Sequence, residues 1–173
     1  KGTAAMTVAT ESHYIGAGKQ GSISGLVSTR HGFGLPTQII KILEAGHPVP
    51  DANSIEGARL AIELAKSAGP NDLVLCLLSG GASALWAAPV EGVSFEAKQQ
   101  LTKQLLKSGA PISEMNCVRK HLSRIKGGKL AAAVSPGAIV TLAISDVPGD
   151  LPTAIGSGPT VGDPTTLADA REV

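Results

Sequence analysis

Aromatic side chains are nearly missing from this chain: two Phe, one Tyr and one Trp make up 2% of 173 residues. With so little stacking surface, and with 15 Lys+Arg set against 14 Asp+Glu, neither base stacking nor a polyelectrolyte effect favours nucleic acid as a partner. Cysteine is scarce as well. Cys76 and Cys117 stand 41 positions apart, form no CxxC and have no histidine at zinc spacing. They read as two free thiols in a reducing compartment, with the cytoplasm as the expected location. No run of 18 apolar residues occurs, and Lys1, Gly2 and Thr3 do not open a charged-then-apolar leader, so no membrane contact is expected. Charged residues are only 17% against 43% hydrophobic, enough apolar surface to offset ordering entropy and exclude a disordered chain. What is plentiful is turn chemistry. The 21 Gly and 11 Pro amount to about 18% of the residues, short of low complexity.

The length suits one domain, and neither an internal repeat nor a linker interrupts it. Pro36 to Ala45 has Ile39, Ile40 and Leu43 at helical spacing with Gly46 as a stop, which predicts a helix. His47 to Asp51 (HPVPD) must be extended because each proline restricts its predecessor. Asp51, Asn53 or Ser54 then caps a helix from Ser54 to Ser67 that ends at Gly69-Pro70. Asp72 to Leu78 and Ala138 to Ile144 are continuous apolar runs of strand length, the pattern of parallel strands buried on both faces. Phe95 to Ser108 is predicted as a helix closed by Gly109, and Ser113 to Val134 as another, interrupted at Gly127-Gly128. Asp163 with Pro164 in the first turn opens a last helix toward Val173. Strands separated by helices predict an α/β sheet of parallel character with right-handed crossovers.

Ligands of open α/β sheets sit beyond the carboxyl ends of the strands, so the segments following the two apolar runs carry the chemistry. Ser79-Gly80-Gly81-Ala82-Ser83 supplies adjacent glycines whose amides can approach an oxyanion, plus two hydroxyls, which is how phosphates are cradled; the alternative is a tight turn needing positive φ. Asp146, directly after the second run, is placed to bind Mg²⁺ or orient a hydroxyl, or else is a solvated turn aspartate shaped by Pro148-Gly149. Asp150 is a weaker candidate for the same role.

The charge is local. Asn116 to Lys129 packs Arg119, Lys120, His121, Arg124, Lys126 and Lys129 into a nearly neutral protein. In helical projection Met115, Val118, Leu122 and Ile125 form an apolar stripe, while Asn116, Arg119, Lys120, Ser123 and Lys126 gather on another face suited to a polyanionic ligand. An ordinary solvated face is the alternative, but no acid is interleaved between Glu114 and Asp146. His121 is left without a role. Gly16 to Gly21 (GAGKQG) fits G-x-G-x-x-G, yet Ser22 to Ser28 after it reads as extended rather than helical, so a nicotinamide site there is not expected.

Five ordered stretches together resemble one family: HPVPD at 47 to 51, LVLCLLSGGASAL at 73 to 85, MNCVRKHLSRIKGGKLA at 115 to 131, ISDVPGD at 144 to 150 and IGSGPTVGDPTT at 155 to 166. They resemble the class II glycerate 2-kinases, a family with the older label of hydroxypyruvate reductase of tartrate utilisation. The resemblance implies a three-layer, Rossmann-like α/β fold of mainly parallel strands with helices on both faces. It also implies ATP- and Mg²⁺-dependent phosphorylation of D-glycerate at its 2-hydroxyl, giving 2-phosphoglycerate and ADP. Lys1 in KGTAAM looks like the family's catalytic lysine. Ser79, Gly80, Gly81, Ser83, Asn116, Arg119, Lys120 and Lys126 fall to the nucleotide and carboxylate, and Asp146 to Mg²⁺ or the substrate hydroxyl. Ala82 departs from the usual third glycine, which the turn tolerates only if φ there is negative. The chain corresponds to most of the family's N-terminal domain, cut at both ends, with a C-terminal domain needed to complete the cleft; alone it is expected to be inactive. A homo-oligomer is compatible with this reading. An NAD(P)H-dependent hydroxypyruvate reductase and a non-catalytic nucleotide-binding module are the alternatives.

Overall fold

The computed structural model describes residues 2–173; Lys1 lies outside the described residues. Four strands, β1 (Leu26–Arg30), β2 (Lys41–Ala45), β3 (Leu73–Ser79) and β4 (Ala138–Ile144), alternate with helices α1 (Thr3–Gly16), α2 (Ala52–Lys66), α3 (Ala82–Leu85), α4 (Phe95–Ser108), α5 (Ile112–His121), α6 (Lys129–Val134) and α7 (Leu167–Glu172). Both ladders are parallel: β1 pairs with β2 from Leu26 opposite Lys41, and β3 with β4 from Leu73 opposite Ala138. Helix α1 touches both β1 and β3, whereas α2 packs on β1, β2 and α6. The core lies between α2, α6 and β3, where Ala58, Ala61 and Ala65 meet Cys76, Leu78, Leu130 and Val134. This is the α/β architecture expected, with its hydrogen-bonded ladders divided into two pairs.

The predicted helix over Pro36 to Ala45 is a correction. Glu11, buried on α1, accepts the N–H groups of Gln38 at 2.8 Å, Ile39 at 2.6 Å and Ile40 at 2.8 Å, and from Lys41 the chain joins β1 instead. Helix α1 has little signature in the hydrophobic pattern because, of the four residues it buries, Thr3, Ala4, Thr7 and Glu11, only Ala4 is apolar. Of the three candidate caps, Asp51 is the one used, in a reciprocal box with Ser54, and α2 starts at Ala52, two residues before the expected Ser54. Helix α4 has the predicted limits, with Ser94 at its start and left-handed Gly109 at its end. The long helix expected after Ser113 stops earlier than expected, at His121, and resumes only at Lys129. At the far end the cap is Thr166, not Asp163, with Asp169 completing the box; Asp163 is engaged by Lys120.

The strands are not all buried on both faces. Val140, Leu142 and Ile144 of β4 are 45%, 50% and 55% exposed. They stand opposite Leu75, Leu77 and Ser79, the last of which is bonded to Thr3 at the start of α1.

A cationic centre at the carboxyl ends of the strands

Parallel pairing brings the carboxyl ends of the strands to one edge of the molecule, and the loops there supply the site. Strand β3 runs into Gly80 and Gly81, and α3 starts at Ala82. Gly81 has φ 92°, a conformation that only glycine adopts freely. A Cβ on Gly81 would lie 2.8 Å from His47 Nε2, and one on Gly80 would overlap Asp146 Oδ2. The glycines are thus also required by contact: His47, after β2, and Asp146, after β4, close on the bare backbone of the turn. Ala82, already helical, does not need positive φ.

Ser83, on the first turn of α3, is the point of convergence. Lys126 Nζ donates to its carbonyl at 2.7 Å and its hydroxyl at 3.1 Å, and Arg119 Nη2 donates to the same hydroxyl at 3.0 Å. Ser157 Oγ shares a further hydrogen bond with it at 2.8 Å. Lys126 is 3% exposed. Neither cation has an ion-pair partner among the described residues. Burial, followed by the charges of Arg119 and Lys98, holds Lys126 well below the ordinary lysine range. Burial lowers Arg119, and burial together with Arg119 and Lys129 brings Lys98 down to about 8. Three cations crowd a part-buried region without a carboxylate, so the site favours whatever anion can enter it.

The expected residues separate in their surroundings. Ser83, Arg119 and Lys126 meet, and Asn116 Oδ1 approaches Arg119 at 3.5 Å. Lys126 arrives from the turn after α5, because the helix that would have placed it beside Arg119 has already ended. Lys120 turns away to Asp163 at 2.9 Å. Ser79 is 2% exposed, and its hydroxyl bonds the Gly2 N–H at 3.1 Å and Thr3 Oγ1 at 2.7 Å, anchoring the start of α1. Asp146 lies beside Gly80; Asp150 is exposed in the following turn with φ 50°. His121 Nδ1 pairs with the Cys117 carbonyl oxygen at 2.9 Å. Two participants carried no sequence signal of their own. Lys98 lies far away in the sequence, on α4, and Ser157 was hidden inside a glycine-flanked turn where it holds φ 63°.

A family model described as a domain of unknown function, DUF4147, matches residues 1–173. The chain belongs to the DUF4147 family.

This DUF4147 chain is 51% identical over all of its 173 residues to an Agrobacterium vitis protein whose hydroxypyruvate reductase name is itself provisional, covering 39% of that protein. It is 51% identical over 150 residues to the D-glycerate 2-kinase of Thermotoga maritima, which accounts for 86% of the chain and 36% of the relative. The crystal structure of a glycerate kinase from Thermotoga maritima superposes with a TM-score of 0.87 at 48% identity, covering 94% of this chain and 39% of that one. The DUF4147 chain therefore spans well under half the length of these relatives. The G-x-G-x-x-G string at Gly16 to Gly21 follows helix α1 and leads to a 3-10 turn at Gln20–Ser22, not the strand-to-helix setting of a dinucleotide site.

Proposed function

We propose that the protein carrying this chain is a glycerate 2-kinase, transferring the γ-phosphoryl group of ATP to the 2-hydroxyl of D-glycerate to give 2-phosphoglycerate and ADP. The observation that carries this reading is the convergence of Arg119 and Lys126, both without a carboxylate partner among the described residues, on Ser83 beside the Gly80-Gly81 turn. Phosphoryl transfer requires positioning and charge neutralisation more than covalent chemistry. In this reading the glycerate hydroxyl attacks phosphorus as the bond to the ADP oxygen breaks and its proton is released to water, with Asp146 either holding Mg²⁺ or orienting that hydroxyl. Arg119, Lys126 and the turn amides neutralise the phosphate oxygens, while Asn116 steadies Arg119. Lys120, tied to Asp163, supports the turn and leaves the anion to its neighbours.

The donors fit Mg²⁺ in one particular way. No cluster of three metal-type ligands exists among the described residues, but Mg²⁺ commonly rests on one or two carboxylates with phosphate oxygens and water, and Asp146 is a carboxylate in that position. Bound there, Mg²⁺ would draw charge from the phosphates. Lys1 is assigned to transition-state charge. Gly2, the next residue, is bonded to Ser79 at the end of β3, which supports that assignment. A C-terminal domain would complete the cleft.

The deciding experiment is a coupled assay of ADP release by the complete protein with D-glycerate, L-glycerate and hydroxypyruvate. Release with D-glycerate and Mg²⁺ is expected. Oxidation of NADH by hydroxypyruvate without ATP would overturn the kinase reading in favour of the reductase suggested by the Agrobacterium relative's name. Lys1→Ala and Lys126→Met should each lower turnover by about 10² to 10³, and full activity in either would remove that residue from the mechanism.

A further inference from the structure

A shallow concavity lined by Arg30, His47, Gly80 and Leu85 lies at the ends of β1, β2 and β3, and the reading above gives it no work. Arg30 closes β1. Its Nε is buried without a hydrogen-bond partner, and its side chain enters no ion pair among the described residues. The guanidinium lies 3.5 Å over the centroid of the Phe33 ring. Stacking of this kind holds the plane of the group, so its in-plane N–H groups point in fixed directions, the geometry that suits a two-pronged acceptor.

The neighbouring acids are already engaged. Glu44 accepts the N–H groups of Gly32 at 3.1 Å and Gly34 at 2.7 Å. Asp51 Oδ2 meets His31 Nε2 at 2.8 Å, and its other oxygen caps Ser54. The chain thus brings an arginine to the carboxyl end of a strand, fixes its plane, and keeps Glu44 and Asp51 on other partners. On the floor are Gly80 and Gly81, flanked by the His47 ring and by the Asp146 carboxylate.

We propose that this corner is the subsite for the carboxylate of an α-hydroxy acid, with Arg30 as its two-pronged partner and Asp146 receiving the hydroxyl on the adjacent carbon. A carboxylate needs donors and a hydroxyl needs an acceptor. Arg30 and Asp146 both lie against Gly80, while the Ser83 centre remains for the phosphates. The inference rests on the kinase reading only in naming glycerate as the acid. It predicts discrimination against neutral polyols of the same size, because glycerol would leave the Arg30 fork unpaired.

The test is equilibrium binding to the complete protein by calorimetry, with D-glycerate, glycerol and ADP titrated separately into wild type, Arg30→Met, Arg30→Lys and Lys126→Met. Arg30→Met should weaken D-glycerate by about 10- to 100-fold and leave ADP within twofold, with Arg30→Lys in between. Glycerol should bind far more weakly than D-glycerate. In the wild-type protein the Arg30 Nε–Hε resonance should shift with D-glycerate and not with glycerol, a readout that needs no substitution. Unchanged glycerate affinity in Arg30→Met, or an unmoved Arg30 resonance at saturation, overturns the subsite even where ADP binding depends on Lys126. If D-glycerate binds at Arg30 and no nucleotide binds anywhere, the subsite stands and the kinase reading falls.

Discussion

Ser83 receives three donated hydrogen bonds from two cations, and that concentration of positive charge has a measurable consequence in pH. Lys98, half-buried near Arg119, titrates at about 8 in the folded chain against an ordinary 10.5. The unfolded state holds that proton up to the higher value, so stability rises with pH between the two and the charged form is disfavoured below them. An anion that restores the charged lysines should therefore take up a proton on binding. Pyrophosphate titrated near pH 8 in buffers of different ionisation enthalpy should give buffer-dependent heats; heats independent of buffer would contradict it. Gly80 offers a second test. In Gly80→Ala the new methyl overlaps Asp146, so turnover in the complete protein should fall by at least about tenfold with little change in ADP affinity. The individual charges were legible in the sequence, since a basic run without interleaved acids stands out in a neutral chain. Their grouping was not. Arg119 and Lys126 meet through a turn, Lys98 joins from another helix, and Lys120, one residue from Arg119, faces Asp163.

The elements divide by whether neighbours in sequence or partners in space determine them. Helix α4 carries its own punctuation in Ser94 and Gly109, and α2 its own cap in Asp51, so both were readable. Burial would raise the Asp51 carboxyl, but His31, the Gly46 N–H and Ser54 pull it down to about 2. Its contribution is therefore complete above the ordinary 3.8 and is lost as pH falls toward 2. Asp51→Ala should cost about 1 kcal/mol in chemical denaturation. Segment Pro36 to Ala45 had the right spacing for a helix, but Glu11 removes three successive N–H groups, of Gln38, Ile39 and Ile40, from helical use, and only Lys41–Ala45 goes on to form β2. The N–H groups of Gln38, Ile40 and Ile39 in turn hold the Glu11 carboxyl below its usual range, so this anchor also weakens in acid. Glu11→Gln, which turns one acceptor into a donor facing other donors, should lower the thermal midpoint by several degrees at neutral pH and by less at pH 3; an equal loss at both would show that the charge is not the cause.

In the molecule as a whole, the apolar runs announced parallel strands correctly but overstated their cover, because hydrophobicity records what a strand can bury and not which helix reaches it. The exposed Val140, Leu142 and Ile144 face makes the 173-residue chain prone to self-association. Sedimentation should show mass rising with concentration, and Leu142→Lys should suppress that rise; a strictly monomeric wild type at high concentration would refute the expectation. The crowded cations have a further effect on the whole fold. A native state that holds Lys98, Arg119 and Lys126 together without a counter-charge is held below the stability its packing would otherwise allow. Any polyanion that binds only the folded form raises that stability by about 2.7 kcal/mol at a hundredfold excess over its dissociation constant. The melting temperature of this protein should therefore track the concentration of any polyanion that binds this centre, so that resistance to heat and to proteolysis becomes a property of the chain together with the anion supplied to it.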